Sequence, residues 1–165
     1  DMRALVVLAV LATPAAAQDL IFSPAGTEAC LATTQNYDAR HACVGTSARQ
    51  CMNMTPGGNS TVGMGGCLSA ELDYWDALLN DAYGDVIAAA RAMDAEMAEI
   101  GATVASQEDA LRAMQRAWIT FRDATCDYEY SQWGGGSGSG PAIAGCLMRM
   151  TGEQTLYLLG SRLGE

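Results

Sequence analysis

Gln115-Arg116-Ala117-Trp118-Ile119-Thr120-Phe121-Arg122-Asp123-Ala124-Thr125-Cys126 is the stretch whose reading decides the fold class. Met114, Trp118, Phe121 and Thr125 recur at steps of four, three and four, which places them on one face of an α-helix. Large aromatics at that spacing mostly fill bundle interiors, so Trp118 and Phe121 are expected in the core. Cys126 ends the run with a thiol that needs a partner. Upstream, Ser106 followed three residues later by Asp109 resembles a capping box, with Asp in place of the usual Glu or Gln.

The neighbouring segments repeat the helical signal. Between residues 67 and 100, Leu68, Leu72, Trp75, Leu79, Tyr83, Val86, Ala90, Met93, Met97 and Ile100 keep spacings of three and four, the mark of a long amphipathic helix. Gly101 is a good stop, and the short link to Ser106 makes this helix and the next antiparallel neighbours. Downstream, Ile143, Cys146, Leu147, Met150, Leu156, Leu159 and Leu163 predict a last helix over 142–163, with Gly152 and Gly160 as points of disturbance. Residues 29–35 and 39–52 each allow two or three helical turns, and Pro56-Gly57-Gly58-Asn59 is a turn. The glycine-rich loop 134–140 is not a phosphate cradle, because no strand precedes it and no Lys-Ser/Thr follows. No strand pattern and no internal repeat appears. The expected fold is all-α: a small antiparallel helical bundle stapled by disulfides.

Met2-Arg3, the apolar residues 4–13 and Ala15-Ala16-Ala17 read as a secretory signal over residues 1–17, with 18–165 forming one domain. The apolar run is well short of the roughly 20 residues that span a bilayer. The protein is therefore expected to be periplasmic or secreted, without stable membrane insertion after cleavage. Cys30 lacks the small apolar context of a lipoprotein anchor. Six cysteines in an exported chain imply three disulfides, for which fifteen connectivities are formally possible. Local pairing is expected, Cys30 with Cys43, Cys51 with Cys67 and Cys126 with Cys146, because each closes a short loop containing turn residues.

Candidate chemistry is sparse. His41, the only histidine, lies near Cys43, Cys51, Met52 and Met54, a soft set that suggests copper, but the cysteines are better used in disulfides. Zinc would need paired Cys-x-x-Cys or Cys/His spacings. Carboxylates are abundant, yet nothing places two of them across a cleft as glycoside hydrolysis requires. The expectation is no catalytic residue, no metal and no cofactor.

The charge is more informative. Net charge is −10 and every base is arginine. Removing residues 1–17 takes away one acid and one base, so the balance is unchanged. Ten acids lie between Cys67 and Asp109 (Glu71, Asp73, Asp76, Asp81, Asp85, Asp94, Glu96, Glu99, Glu108, Asp109) against the single base Arg91. Such a balance argues against nucleic acid and anionic membranes and suits a cationic protein partner. Asp73, Asp76, Glu96 and Glu99, with Trp133 in the loop after Tyr128 and Tyr130, are the candidate partner surface.

Taken together, Cys67-x-x-x-Glu71-x-x-x-Trp75-Asp76-x-x-Leu79-Asn80-x-x-Tyr83, then Gln115-Arg116-Ala117-Trp118-x-x-Phe121-Arg122-Asp123-x-x-Cys126, then a glycine-rich loop and Cys146 with Met150-Thr151, resembles the lysozyme inhibitor LprI family, also known as the DUF1311 domain. The resemblance spans roughly residues 30–163. It implies an exported helical protein that inhibits lysozyme, in which Trp75, Asn80, Tyr83, Gln115, Arg116, Trp118, Phe121, Arg122 and Asp123 serve structure or partner binding. Gln154 departs from the pattern, standing where members often place an arginine. The resemblance and the charge together suggest an inhibitor that binds a basic muramidase through an acidic surface and occludes its cleft. The same residues also fit an envelope structural or interaction module without lysozyme inhibition.

Overall fold

The computed structural model describes residues 19–161, apart from the side chain of Ser161. The leader expected over 1–17 lies outside them. In chain order the elements are α1 (Ala25–Thr33), α2 (Tyr37–Arg40) running into a 3-10 turn (His41–Cys43), α3 (Thr46–Met54), α4 (Thr61–Glu99), α5 (Gln107–Ser131) and α6 (Ser139–Ser161). No strand occurs among the described residues.

The three long helices form the body. α5 runs antiparallel to α4, and α6 turns back again, so α6 lies parallel to α4 along a close seam. Gly145 sits against Leu68, Gly152 against Trp75, and Leu158 packs with Leu79 and Ala82. α6 runs through Gly152 and Gly160 without a break, correcting the expected disturbance. A Cβ at Gly152 would meet the Val44 methyls at 2.9 Å and the Trp75 indole at 3.2 Å. At Gly160 it would meet the Tyr37 ring at 2.8 Å. These glycines let other elements approach the helix closely.

α4 begins at Thr61, six residues earlier than its apolar pattern, despite Gly63, Gly65 and Gly66. The Ser60 hydroxyl caps it by accepting the Gly63 N–H at 3.1 Å, and its glycines lie under other chain: the Leu20 side chain covers Gly66, and Gly63 abuts the backbone of Gly57 and Gly58. The core comprises Trp75, Ala48, Leu156 and Met148 near one end of the bundle, and Leu79, Ala82 and Leu158 further along, where Leu111, Met114 and Trp118 pack from α5. Disulfides Cys30–Cys43, Cys51–Cys67 and Cys126–Cys146 tie α1 to the 3-10 turn, α3 to α4, and α5 to α6.

Two carboxylates do structural work that the charge count conceals. Glu71, counted above with the acidic run, is fully buried. One of its oxygens accepts the Thr27 hydroxyl (2.8 Å), the Gly45 N–H (2.8 Å) and the Trp75 indole N–H (3.0 Å), and the other accepts the Ala48 N–H (2.6 Å). Gly45 and Ala48 hold the free amides of the α3 N-terminus, so a side chain from α4 caps α3 and pins α1 through Thr27. Thr27 and Ser47 complete the joint, each hydroxyl accepting the other's N–H at 3.1 and 2.9 Å. Asp94 does the corresponding work at the start of α5. Ser106 accepts the Asp109 N–H at 3.1 Å as the sequence suggests, but the remaining donors, the Gln107 and Glu108 N–H groups and the Ser106 hydroxyl, go to Asp94 of α4 at 2.8, 3.0 and 2.7 Å. These bonds hold the Asp94 carboxyl below its ordinary value.

Candidate partner surface

The α5 motif enters the core only in part: Trp118 is partly buried and packs on the Leu79–Ala82–Leu158 cluster as its spacing suggests, whereas Phe121 is 63 % exposed. The correction has a simple origin: α5 packs along one edge of the α4–α6 seam, and the buried side of that edge is filled by Leu111, Met114 and one face of Trp118. The other side opens into a shallow groove of about 410 Å³ between α5 and α6, lined by Met114, Ala117, Trp118, Phe121, Gln154 and Tyr157. Its walls are mostly apolar and its rim is polar. The Arg122 guanidinium lies 5.0 Å from the Trp118 ring centroid, a cation–π arrangement, and is held by Asp123 at 2.8 Å. Gln154 Nε2 donates to the Gln115 side-chain oxygen Oε1 at 2.9 Å, bridging α6 and α5 at the groove floor. The residue that departs from the family pattern is thus committed to this bridge.

The α4 motif is divided between core and surface. Trp75 is fully buried and Tyr83 partly buried on the Leu79 cluster, whereas Asn80 is exposed and donates to Asp76 at 3.3 Å. Arg116 is exposed. His41 meets Tyr37 edge to face at 5.2 Å between centroids. Its neighbours Cys43 and Cys51 are in disulfides.

The acidic surface is not one patch. Asp73, Asp76, Glu96 and Glu99 are all exposed, but the two pairs are separated by some twenty residues, roughly 30 Å of helix. They also point to different sides of α4, since positions 73, 76, 96 and 99 spread over about 200° at 100° per residue. Glu71 and Asp94 are spent on capping, and Glu108 is clamped by Arg91 (2.9 Å) and Arg112 (2.8 Å). Hydrogen bonds from Arg112 and then Arg91 lower the Glu108 carboxyl. Trp133 lies far from both acidic pairs, in the α5–α6 loop, its ring laid over Gly138. Met114, on the same helix face as Trp118 and Phe121, lines the groove with them, and Tyr157, which sequence reasoning did not single out, completes it; only its adjacency to the α5 motif in space marks it.

Fold and surface define an all-α, disulfide-stapled bundle with an aromatic groove on one side and a long acidic helix on another. The chain belongs to the lysozyme inhibitor LprI family, which it matches over residues 51–158. That is an inhibitor family, not a catalytic one. Among similar proteins, an uncharacterized protein of Rhizobium meliloti strain 1021 is 39% identical over 93 residues, covering 55% of this chain and 67% of its own length. An uncharacterized 17.7 kDa protein in the puhA 5′ region of Rhodobacter capsulatus is 26% identical over 137 residues, covering 82% and 84% of the two chains. No solved structure matches the chain.

Proposed function

We propose that this protein is a lysozyme-type inhibitor that captures a basic muramidase outside the cytoplasm and occludes its cleft without itself making or breaking a bond. The observation that carries the reading is the position of Phe121: an aromatic of the motif behind the family match stands 63 % exposed at the surface, beside the partly buried Trp118, where packing alone does not require it. A half-exposed aromatic groove with a polar rim has the composition of a protein contact. The acids have a different task. Spread along α4, they make a field that steers a cationic partner from many approach angles, which raises the association rate more than the affinity.

The test is a muramidase inhibition titration with the purified, oxidised protein at low and high salt. Replacing Asp73, Asp76, Glu96 and Glu99 by Asn and Gln is expected to slow association and flatten its salt dependence. Phe121→Ser is expected to weaken inhibition at equal stability. A protein that neither binds nor inhibits a muramidase at low ionic strength, where exposed charges are least screened, would leave the envelope-module reading in its place.

A further inference from the structure

Three uncharged segments of the sequence, 20–27, 55–70 and 130–148, come together at one end of the bundle. There the Leu20 side chain lies on Gly66, and the Ile21 N–H bonds the Thr55 hydroxyl at 2.9 Å. The first turns of α4 and α6 stand side by side, flanking a groove of about 330 Å³ with Thr61, Val62 and Gly65 on one wall and Ser137, Gly140 and Pro141 on the other. Val62 is 75 % exposed, and Trp133, over Gly138, is 52 % exposed. Tyr130 and Ile21 are also largely open to solvent.

An uncharged end is notable in a chain of net charge −10. The first exposed acid of α4, Asp73, lies twelve residues from Thr61, about 18 Å along the helix, or roughly two Debye lengths at physiological salt. Glu129 is neutralised by Arg149 at 2.8 Å. Exposed Asp19 and Glu28 flank the first segment, and exposed Asp127 lies three residues before the third. The segments themselves carry no charge, and the exposed acids of α4 begin beyond them.

We propose that this end docks on a phospholipid surface. Exposed Trp and Tyr rings beside isolated aliphatic side chains, set in Ser and Gly backbone, are the groups that settle at the headgroup level, their apolar bodies inward and polar tips wet. No charged side chain of these segments has to be desolvated. Contact is superficial: no helix among the described residues is long and apolar enough to cross a membrane. Docked this way, most of the acidic length of α4 projects into solvent, away from anionic headgroups.

The test is co-sedimentation of the oxidised protein, its N-terminus determined by mass, with phosphatidylcholine vesicles and with mixed phosphatidylcholine–phosphatidylglycerol vesicles. Binding to both is expected, nearly independent of salt, with a blue shift of tryptophan emission. The double variant Val62→Ser, Trp133→Ser is expected to lower the bound fraction at least ~5-fold with an unchanged melting temperature. Ile21→Ser repeats the test without touching the loop. Absence of binding to either vesicle, or binding that both variants leave intact, overturns the proposal. Loss of muramidase binding in the double variant without any vesicle binding also overturns it and assigns this end to a protein partner.

Discussion

Replacing Glu71 by Gln removes one negative charge and exchanges an acceptor oxygen for an NH₂ donor at almost no change in volume, yet it should be among the most damaging substitutions in the chain. All four contacts of the carboxylate are donors: Thr27, Gly45 and Trp75 on one oxygen, Ala48 on the other. A glutamine offers one acceptor. Oriented to keep the three-donor oxygen, it sets its own NH₂ against the Ala48 N–H, which stands 2.6 Å from the present oxygen. One charge-assisted bond is lost and a buried N–H is stranded, together about 3–5 kcal/mol. The flipped amide strands three donors and is worse. Against a total stability of roughly 5–15 kcal/mol the variant should be marginal, and Glu71→Ala, which strands all four donors over a void, more so. The measurement is equilibrium denaturant unfolding of the oxidised protein, with amide exchange at Gly45 and Ala48 as the local readout. A shift below ~1 kcal/mol with both amides still protected would refute the assignment of Glu71 as the joint between α4 and the N-terminal helices.

Other outcomes follow from the same contacts. Trp118→Ala should cost about 1–2 kcal/mol, the value of a half-buried ring, and Phe121→Ser less than ~0.5; a loss of ~3–5 kcal/mol at Trp118 in a thermal melt would return it to the core. Replacing both Cys126 and Cys146 by Ser should cost ~3 kcal/mol on the loop-entropy estimate and raise exchange in the Trp133 loop, and non-reducing peptide mapping of the wild type should recover the Cys126–Cys146 pair. For Asp94, whose folded value is lowered, the contribution to stability is complete above its ordinary carboxylate value and is lost as the pH falls through the lowered one. Asp94→Asn should therefore melt below the wild type near neutral pH and match it in strong acid, and a gap that persists in acid would mean that the carboxylate's charge is not what holds the α4–α5 turn.

The helices were legible because apolar periodicity over 67–100 and 142–163 admits no other regular structure, and local disulfide pairing followed from loop length. What escaped was the sense in which polar and apolar positions were used. Glu71 stands on the stripe Cys67, Glu71, Trp75, Leu79, one residue per turn, and an acid on an apolar stripe is a sign of burial that charge counting overlooked. Phe121 shows the converse beside Trp118: helical spacing identifies a shared face but not whether the next helix covers all of it, and here it covers Trp118 in part and Phe121 hardly at all. Glycine carried a third ambiguity. Gly152 and Gly160 looked like breaks because an isolated helix would fray there, but the cost of glycine in a helix is about 1 kcal/mol, and the close approach of Trp75, Val44 and Tyr37 offsets it. Tyr157 of the groove carried no local signal, since its role depends on α6 lying beside α5.

The length of α4 gives these surfaces a common logic. Its 39 residues extend about 58 Å, well past the end of the 23-residue α6, and this part of α4 packs on the start of α5, with Ile87 and Ala90 buried and Asp94, Arg91 and Glu108 joining the two helices. A bundle needing only a core would stop where α6 stops. The turns after Ala90 contain no buried residue, so what they add is separation: Glu96 and Glu99 at one pole, Val62 and the α6 N-terminus at the other. Steering of a cationic partner and contact with lipid make opposite demands on charge, and a single compact surface could not meet both within a Debye length. If the two poles act independently, neutralising Asp73, Asp76, Glu96 and Glu99 should change the salt dependence of muramidase association and leave vesicle binding intact, while Val62→Ser with Trp133→Ser should do the reverse. Measuring both variants in both assays separates the two proposals, because a defect that crossed from one assay to the other would show that the poles are coupled through the fold and that neither surface acts alone.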